Sequence, residues 1–247
     1  MSDPILSLNK ATVTFGGVRA LDDLSFDVNR QEIVGVIGPN GAGKTTLFNS
    51  LVGLQKLRSG TITLDGVVVS DRKPHQIAAL GMTKTFQNTS LFPDMDVLGN
   101  VTTAGLLHHP LAEARDKAAD ILDRMRLTPI ARAGIDALTF PQRALIEMAR
   151  AMATNPRVLL LDEVMAALTP SEMDEVMETA RQLRADGLTI LVVEHHMRAI
   201  MSLCDRIVVV SFGRKIAEGT PDQIAADPAV IEAYLGSSAK EKEVQHA

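Results

Sequence analysis

The apolar run Ile33-Val34-Gly35-Val36-Ile37 passes directly into Gly38-Pro39-Asn40-Gly41-Ala42-Gly43-Lys44-Thr45-Thr46, and that segment leads into Leu47-Phe48-Asn49-Ser50-Leu51. The middle stretch has the form GxxxxGK[ST], and its flanks read as a buried strand and a helix, the setting in which such a loop cradles phosphate. Gly38, Gly41 and Gly43 permit positive φ, so successive backbone N–H groups can turn inward around phosphate oxygens. The positive end of the following helix points at the same anion. Lys44 would reach the β- and γ-phosphates, and the Thr45 hydroxyl would ligate Mg²⁺. A chain built around this unit is expected to place a parallel strand beside a helix and to bind a nucleotide.

The rest of the chain allows this. Its 247 residues are enough for a substantial core, and 46% hydrophobic with 22% charged residues is ordinary for a globular protein. A net charge of −5 gives no footprint for nucleic acid. The lone Cys204 excludes an intrachain disulfide and fits a reducing compartment. No apolar stretch approaches the roughly 18 residues of a membrane span, and Met1-Ser2-Asp3-Pro4 lacks the features of a signal peptide. The expectation is a cytoplasmic chain that meets a membrane only by docking to another protein.

Segments Leu6–Phe15 and Leu24–Val28 partly alternate apolar and polar residues, and Gly60–Leu64 precedes an Asp65-Gly66 turn, so the first third reads as strands with one solvated face. From about Met95 to Met152 the pattern turns helical, with Leu111–Leu127 placing Ala114, Ala118, Ile121, Leu122 and Met125 on one side. Buried-strand runs return at Val158–Leu161, Leu188–Val193 and Ile207–Val210, separated by helical stretches near Glu172–Ala185 and Met197–Leu203. Strands alternating with helices imply a largely parallel sheet covered on both faces. The expected organisation is an α/β P-loop fold over residues 1–236, with an N-terminal antiparallel β subdomain, a helical insertion at about 95–153 and a disordered tail at 237–247.

Three further segments carry chemistry. Val158-Leu159-Leu160-Leu161-Asp162-Glu163 is an apolar strand ending in two carboxylates, of which Asp162 can hold the Mg²⁺ hydration shell and Glu163 can orient or deprotonate a water. Leu191-Val192-Val193-Glu194-His195-His196 presents a histidine at the same sheet edge; His195 can donate to a γ-phosphate, although a pair of surface histidines is the alternative. Gln87, in Thr85-Phe86-Gln87-Asn88, can ligate Mg²⁺ or position water, or can be a solvated turn residue.

In this order and spacing, the elements resemble the ATP-binding-cassette (ABC) transporter ATPases over nearly the whole chain. The resemblance makes Gly38–Thr46 the Walker A loop, Gln87 the Q-loop, Val158–Glu163 the Walker B strand with its catalytic Glu, and His195 the switch histidine. It makes Phe15 the aromatic that stacks on adenine, where the alternative is a core strand residue. Finer stretches, Phe15–Asp22, Pro74–Ala78 before Thr85-Phe86-Gln87, and Gly219–Pro221 to Ala233-Tyr234-Leu235-Gly236, are similar to the LivG-type ATPases of branched-chain (hydrophobic) amino-acid uptake systems. The implied partners are a second ATPase subunit, transmembrane permeases at the inner face of the membrane and, indirectly, a substrate-binding protein; ATP and Mg²⁺ are the implied ligands. Signals would reach the permeases through the segment after Gln87, around Ser90 to Val97. Lipopolysaccharide-transport ATPases end similarly, so lipid export is an alternative, as is a regulatory nucleotide-binding subunit with little turnover.

The family signature LSGGQ is replaced here by Leu138-Thr139-Phe140-Pro141-Gln142. Thr139 keeps a hydroxyl and Phe140 is tolerable, but Pro141 stands where a glycine would offer an N–H to the γ-phosphate of the opposite subunit, and proline has none. It does suit a first helical turn. Ala144 and Leu145 replace the usual Gln-Arg, Val164 replaces a proline after Glu163, and Ala167-Leu168-Thr169 replaces Gly-Leu-Asp. Thr169-Pro170-Ser171-Glu172 reads as a capping box that keeps the next helix. Residues for binding this chain's own ATP are intact, whereas those lent to a partner's ATP are degraded. The resemblance therefore implies an asymmetric pair with a different ATPase chain.

Overall fold

Residues 4–85 and 91–234 are described by the computed structural model, and two β-sheets organise them. Strands β1 (Leu6–Phe15) and β2 (Val18–Val28) form a hairpin that joins β4 (Ser59–Leu64) and β5 (Val67–Val68) in an antiparallel sheet of order β2-β1-β4-β5. The β4–β5 turn has Asp65 at φ 48° and Gly66 at φ 76°, both left-handed as a tight two-residue hairpin requires. The second sheet contains β3 (Ile33–Ile37), β6 (Met82–Lys84), β7 (Val158–Asp162), β8 (Thr189–Val193), β9 (Arg206–Ser211) and β10 (Arg214–Gly219), in the order β10-β9-β3-β8-β7-β6. Every neighbouring pair is parallel except β9 and β10.

The continuous apolar runs have a direct cause. Ile33, Ile37, Leu159, Leu161, Ile190 and Val192 face one buried core, while Val34, Val36, Val158, Leu160, Leu191 and Val193 face another. A strand buried on both sides has no polar face to alternate with. The second core also holds Leu47, Phe48 and Leu51 of α1 (Lys44–Leu51), which lies between the two sheets, and apolar residues of β1, β2 and β4.

Helix α2 (Pro74–Ala79) precedes β6, and α3 (Val97–Gly105), α4 (Leu111–Arg124) and α5 (Phe140–Ala153) make the helical insertion. Helix α4 ends sooner than the apolar spacing through Leu127 implied, because Arg126 takes a left-handed φ of 59°. Helices α6 (Pro170–Ala185) and α7 (Met197–Leu203) cover the first core, and α8 (Pro221–Ala225) follows β10. Among the described residues, no helix is long and apolar enough to cross a membrane. The architecture is the α/β P-loop arrangement expected from the sequence. The expected tail at 237–247 and Gln87 both lie outside the described residues.

Candidate nucleotide site

Strand β8 lies between β3 and β7, and Val193 pairs with Val36 on one side and Asp162 on the other. Three strands thus end side by side at their C-terminal edge. The first releases the glycine-rich loop, the second Glu194-His195, and the third Asp162-Glu163. Ligands of open parallel sheets bind at this edge.

The loop is held by close backbone approaches. Gly38 is near-extended at φ 159°, so a left-handed φ is not what requires glycine there; a Cβ would stand 2.0 Å from the Val210 carbonyl oxygen. Gly43 is left-handed at φ 107°, and a Cβ would meet the Ala20 oxygen at 2.3 Å. Gly43 is the N-cap of α1 and makes no side-chain cap, so the first turn of the helix, which lines the cleft, has no side chain over its N–H groups, the arrangement that attracts anions. Below the loop, the hairpin between β9 and β10 donates from Gly213 N–H to Ala42 O (2.9 Å). The Gly38 backbone also bonds to Tyr234, near the end of the described chain.

Lys44 is buried, and its Nζ donates to Gly38 O (2.7 Å) and Pro39 O (3.1 Å). Burial holds its pKa below the ordinary lysine range, while Glu163 pulls it back up. The cleft, about 370 Å³, is lined by Asn40 to Thr46 together with Glu163 and His195. Glu163 Oε1 lies 2.5 Å from His195 Nε2, so the expected water-activating carboxylate and the expected switch histidine are already paired. Glu163 has a left-handed φ of 53°, an unusual conformation for a non-glycine residue and of the kind that clusters at functional sites. Phe15 ends β1 half exposed (50%), which excludes the core alternative for it.

A resident all-protein metal cage does not fit: among the described residues, no group of three His, Cys, Asp or Glu side chains is arranged to hold a metal ion. The exposed Thr45 hydroxyl and the single Asp162 carboxylate suit Mg²⁺, which keeps waters and takes most other ligands from phosphates.

Three features were missed from the sequence. Glu194 is 2% exposed, accepts the Met165 N–H on Oε1 (2.8 Å) and is pushed up to about 7 by burial, with the Glu163 charge adding to the effect. Lys84 Nζ donates to Asp162 Oδ2 (3.1 Å) and Asn49 Oδ1 (3.0 Å). Arg150 of α5 stacks over Phe92 at 5.2 Å, tying that helix to the chain that leads into α3. Each depends on pairing across long sequence separations, for which a single sequence carries no signal.

Thr139–Gln142 lies at the N-terminus of α5. Thr139 Oγ1 accepts from Gln142 N–H (3.4 Å), and Gln142 Oε1 accepts from Thr139 N–H (3.0 Å). Pro141 is buried within the first turn, and Phe140 is 66% exposed. The Thr139 and Gln142 side-chain oxygens thus accept within the helix's own capping box, which leaves the Thr139 O–H and the Gln142 amide N–H groups as donors.

The ABC transporter family matches residues 21–166, and a branched-chain amino acid ATP-binding cassette transporter family matches residues 214–240. The chain is 41% identical to the high-affinity branched-chain amino acid transport ATP-binding protein LivG of Escherichia coli (strain K12), over 96% of this chain and 100% of that protein. It belongs to the ABC transporter ATP-binding proteins. The corresponding protein BraF of Pseudomonas aeruginosa is 39% identical over the same shares of both chains. The ADP conformation of MJ1267, an ATP-binding cassette of an ABC transporter, superimposes with a TM-score of 0.88 at 28% identity, covering 95% of this chain and 100% of that one. An ABC ATPase binds and hydrolyses ATP.

Proposed function

We propose that this chain is the ATP-hydrolysing subunit of an importer for branched-chain or similar hydrophobic amino acids, and that its phosphate loop and the Glu163–His195 pair form one catalytic half-site. The observation that carries the catalytic reading is the 2.5 Å contact between Glu163 and His195 in the cleft that Lys44 also lines. The cargo reading rests on the likeness to LivG and BraF and on the match at residues 214–240.

In this reading, N–H groups of the loop and the first turn of α1 bind the β- and γ-phosphates, and Lys44 exchanges a loop carbonyl for a phosphate oxygen. Mg²⁺, when bound, neutralises phosphate charge beside Thr45 and Asp162. Glu163 accepts a proton from a water whose oxygen bonds to the γ-phosphorus as the bond to the β–γ bridging oxygen breaks. His195 holds that carboxylate in place and donates toward the transferred phosphoryl group. Phe15 stacks on the base, and Gln87 serves the metal and water.

Membrane permeases would dock where the segment after Gln87 meets the helical insertion. There Met95, Leu98, Leu106 and Leu111 line a groove of about 380 Å³ with Arg115 and Arg132 among the residues around it. The pair of ATPase chains is asymmetric in this reading, because Pro141 has no N–H to offer a partner's phosphate.

Glu163→Gln should bind ATP with Mg²⁺ at near-normal affinity while hydrolysis falls by at least about 100-fold, the scale of losing a positioned base. Turnover by this variant close to wild type would reject Glu163 as the base. Leucine uptake by vesicles carrying the full transporter tests the cargo, and uptake that ignores leucine, isoleucine and valine would reject it.

A further inference from the structure

We propose that Lys84 is the standing counter-ion of Asp162 and, through it, a positioning residue that sets how much Mg²⁺ the nucleotide site requires. This rests on the ATPase reading above. Lys84 ends β6, Asp162 ends β7, and both side chains are buried. The Lys84 ammonium donates to Asp162 Oδ2 at 3.1 Å and to Asn49 Oδ1 at 3.0 Å. Asn49 belongs to α1, the helix that begins at the phosphate loop. One cation thus joins the metal-binding strand end, the loop helix and the strand that leads toward Gln87.

The surrounding backbone fixes this contact. Thr85 N–H donates to Leu160 O (2.9 Å), and Asp162 N–H donates to Thr85 Oγ1 (3.1 Å). Lys84 cannot leave Asp162 by a shift of β6 without breaking those bonds. A buried carboxylate without a counter-charge is costly, so a permanent cation keeps Asp162 in place when no metal is bound. The same cation weakens the negative potential that Asp162 offers to a divalent ion. An exposed lysine would be screened by water and would do neither. Lys84 therefore trades metal affinity for a carboxylate that is already oriented when MgATP arrives.

The test is binding of trinitrophenyl-ATP by the full chain, followed by fluorescence against free Mg²⁺. Lys84→Met and Lys84→Gln should reach half-maximal Mg²⁺-dependent binding at a concentration roughly three- to tenfold lower than wild type, the scale of removing one nearby charge at partial burial. Lys84→Arg should stay within about twofold, because it keeps the charge. In metal-free buffer the Met and Gln variants should also melt lower than wild type, with the gap narrowing on addition of MgADP. An unchanged or raised Mg²⁺ requirement in these variants overturns the proposal. Lys84→Gln retains hydrogen bonding to Asn49, and so decides the matter if the Met variant does not fold. Failure of the wild-type chain to bind nucleotide with Mg²⁺ would instead reject the ATPase reading itself.

Discussion

At the scale of single residues, the site gathers charges whose energies oppose one another. Glu163, Glu194 and His195 lie within one strand-end cluster, and Glu194 is the most deeply buried of them. Its pKa is raised from 4.5 to about 7, by desolvation first. The sign follows from proton binding. Between about pH 4.5 and 7 the unfolded chain has released this proton and the folded chain has kept it, so the group's contribution to stability is full below pH 4.5 and is lost as pH rises toward 7. Glu194→Gln keeps an acceptor for Met165 N–H but has no proton to lose. In urea denaturation at pH 5 and pH 8, wild type should lose up to roughly 3 kcal/mol more than the variant over that interval, at about 1.4 kcal/mol for each tenfold change in proton affinity. Parallel pH profiles for the two proteins would mean that Glu194 is ionised in the folded state throughout. The carboxylates held low by arginines, Asp22 and Asp65 among them, act below this window, so they do not obscure it.

At the scale of elements, helix starts show how local chemistry preserves the fold while site chemistry changes. Helices α5 and α6 both begin with a threonine, then a proline within the first turn and Gln or Glu at the third helical position. Thr139→Ala removes one side of the first box and should lower stability by about 1 kcal/mol, measured by chemical denaturation, the usual scale for an N-cap. No loss would mean that the Thr139 hydroxyl does not cap its own helix. The second box was legible in the sequence, as were β1, β3, β7, β8 and α7, because each is a strong local pattern: an apolar run, an alternation or a capping signal; of the first, only a proline suited to a first helical turn was legible. Strand β6 was not, since Met82-Thr83-Lys84 is three residues long and has only one apolar side chain. Strand β10 was missed as a charged edge strand with no fully buried residue. The same limit hid part of the site. The Walker-type residues announce themselves by spacing within a few positions, but Lys84 and Asp162 are 78 residues apart and meet only because β6 and β7 are neighbours.

At the scale of the whole molecule, the proposed asymmetric pairing rests on what each end of the cassette can offer a nucleotide. The half-site on this chain keeps a helix N-terminus without a side-chain cap, a buried lysine and a paired Glu and His. At the signature end, Thr139 and Gln142 accept from each other's backbone in a capping box, and a proline stands where an N–H would be offered. A pair of identical chains would put that end against both nucleotides, whereas a pair with a complete second signature would put it against only one. Losing one donor to a charged phosphate corresponds to about 1.5–3 kcal/mol, or roughly tenfold to a hundredfold in rate. The chain alone should therefore hydrolyse ATP slowly even when concentrated enough to self-pair. Adding a cassette chain with an intact signature should raise turnover by that factor, and the gain should vanish when Glu163 of this chain is changed to Gln. Pro141→Gly should recover much of the rate in the self-paired protein, provided that its helix start survives, which circular dichroism would report. Fast hydrolysis by the unmodified chain alone, or no response to either the partner or Pro141→Gly, would show that the missing N–H carries no kinetic weight and that identical chains suffice.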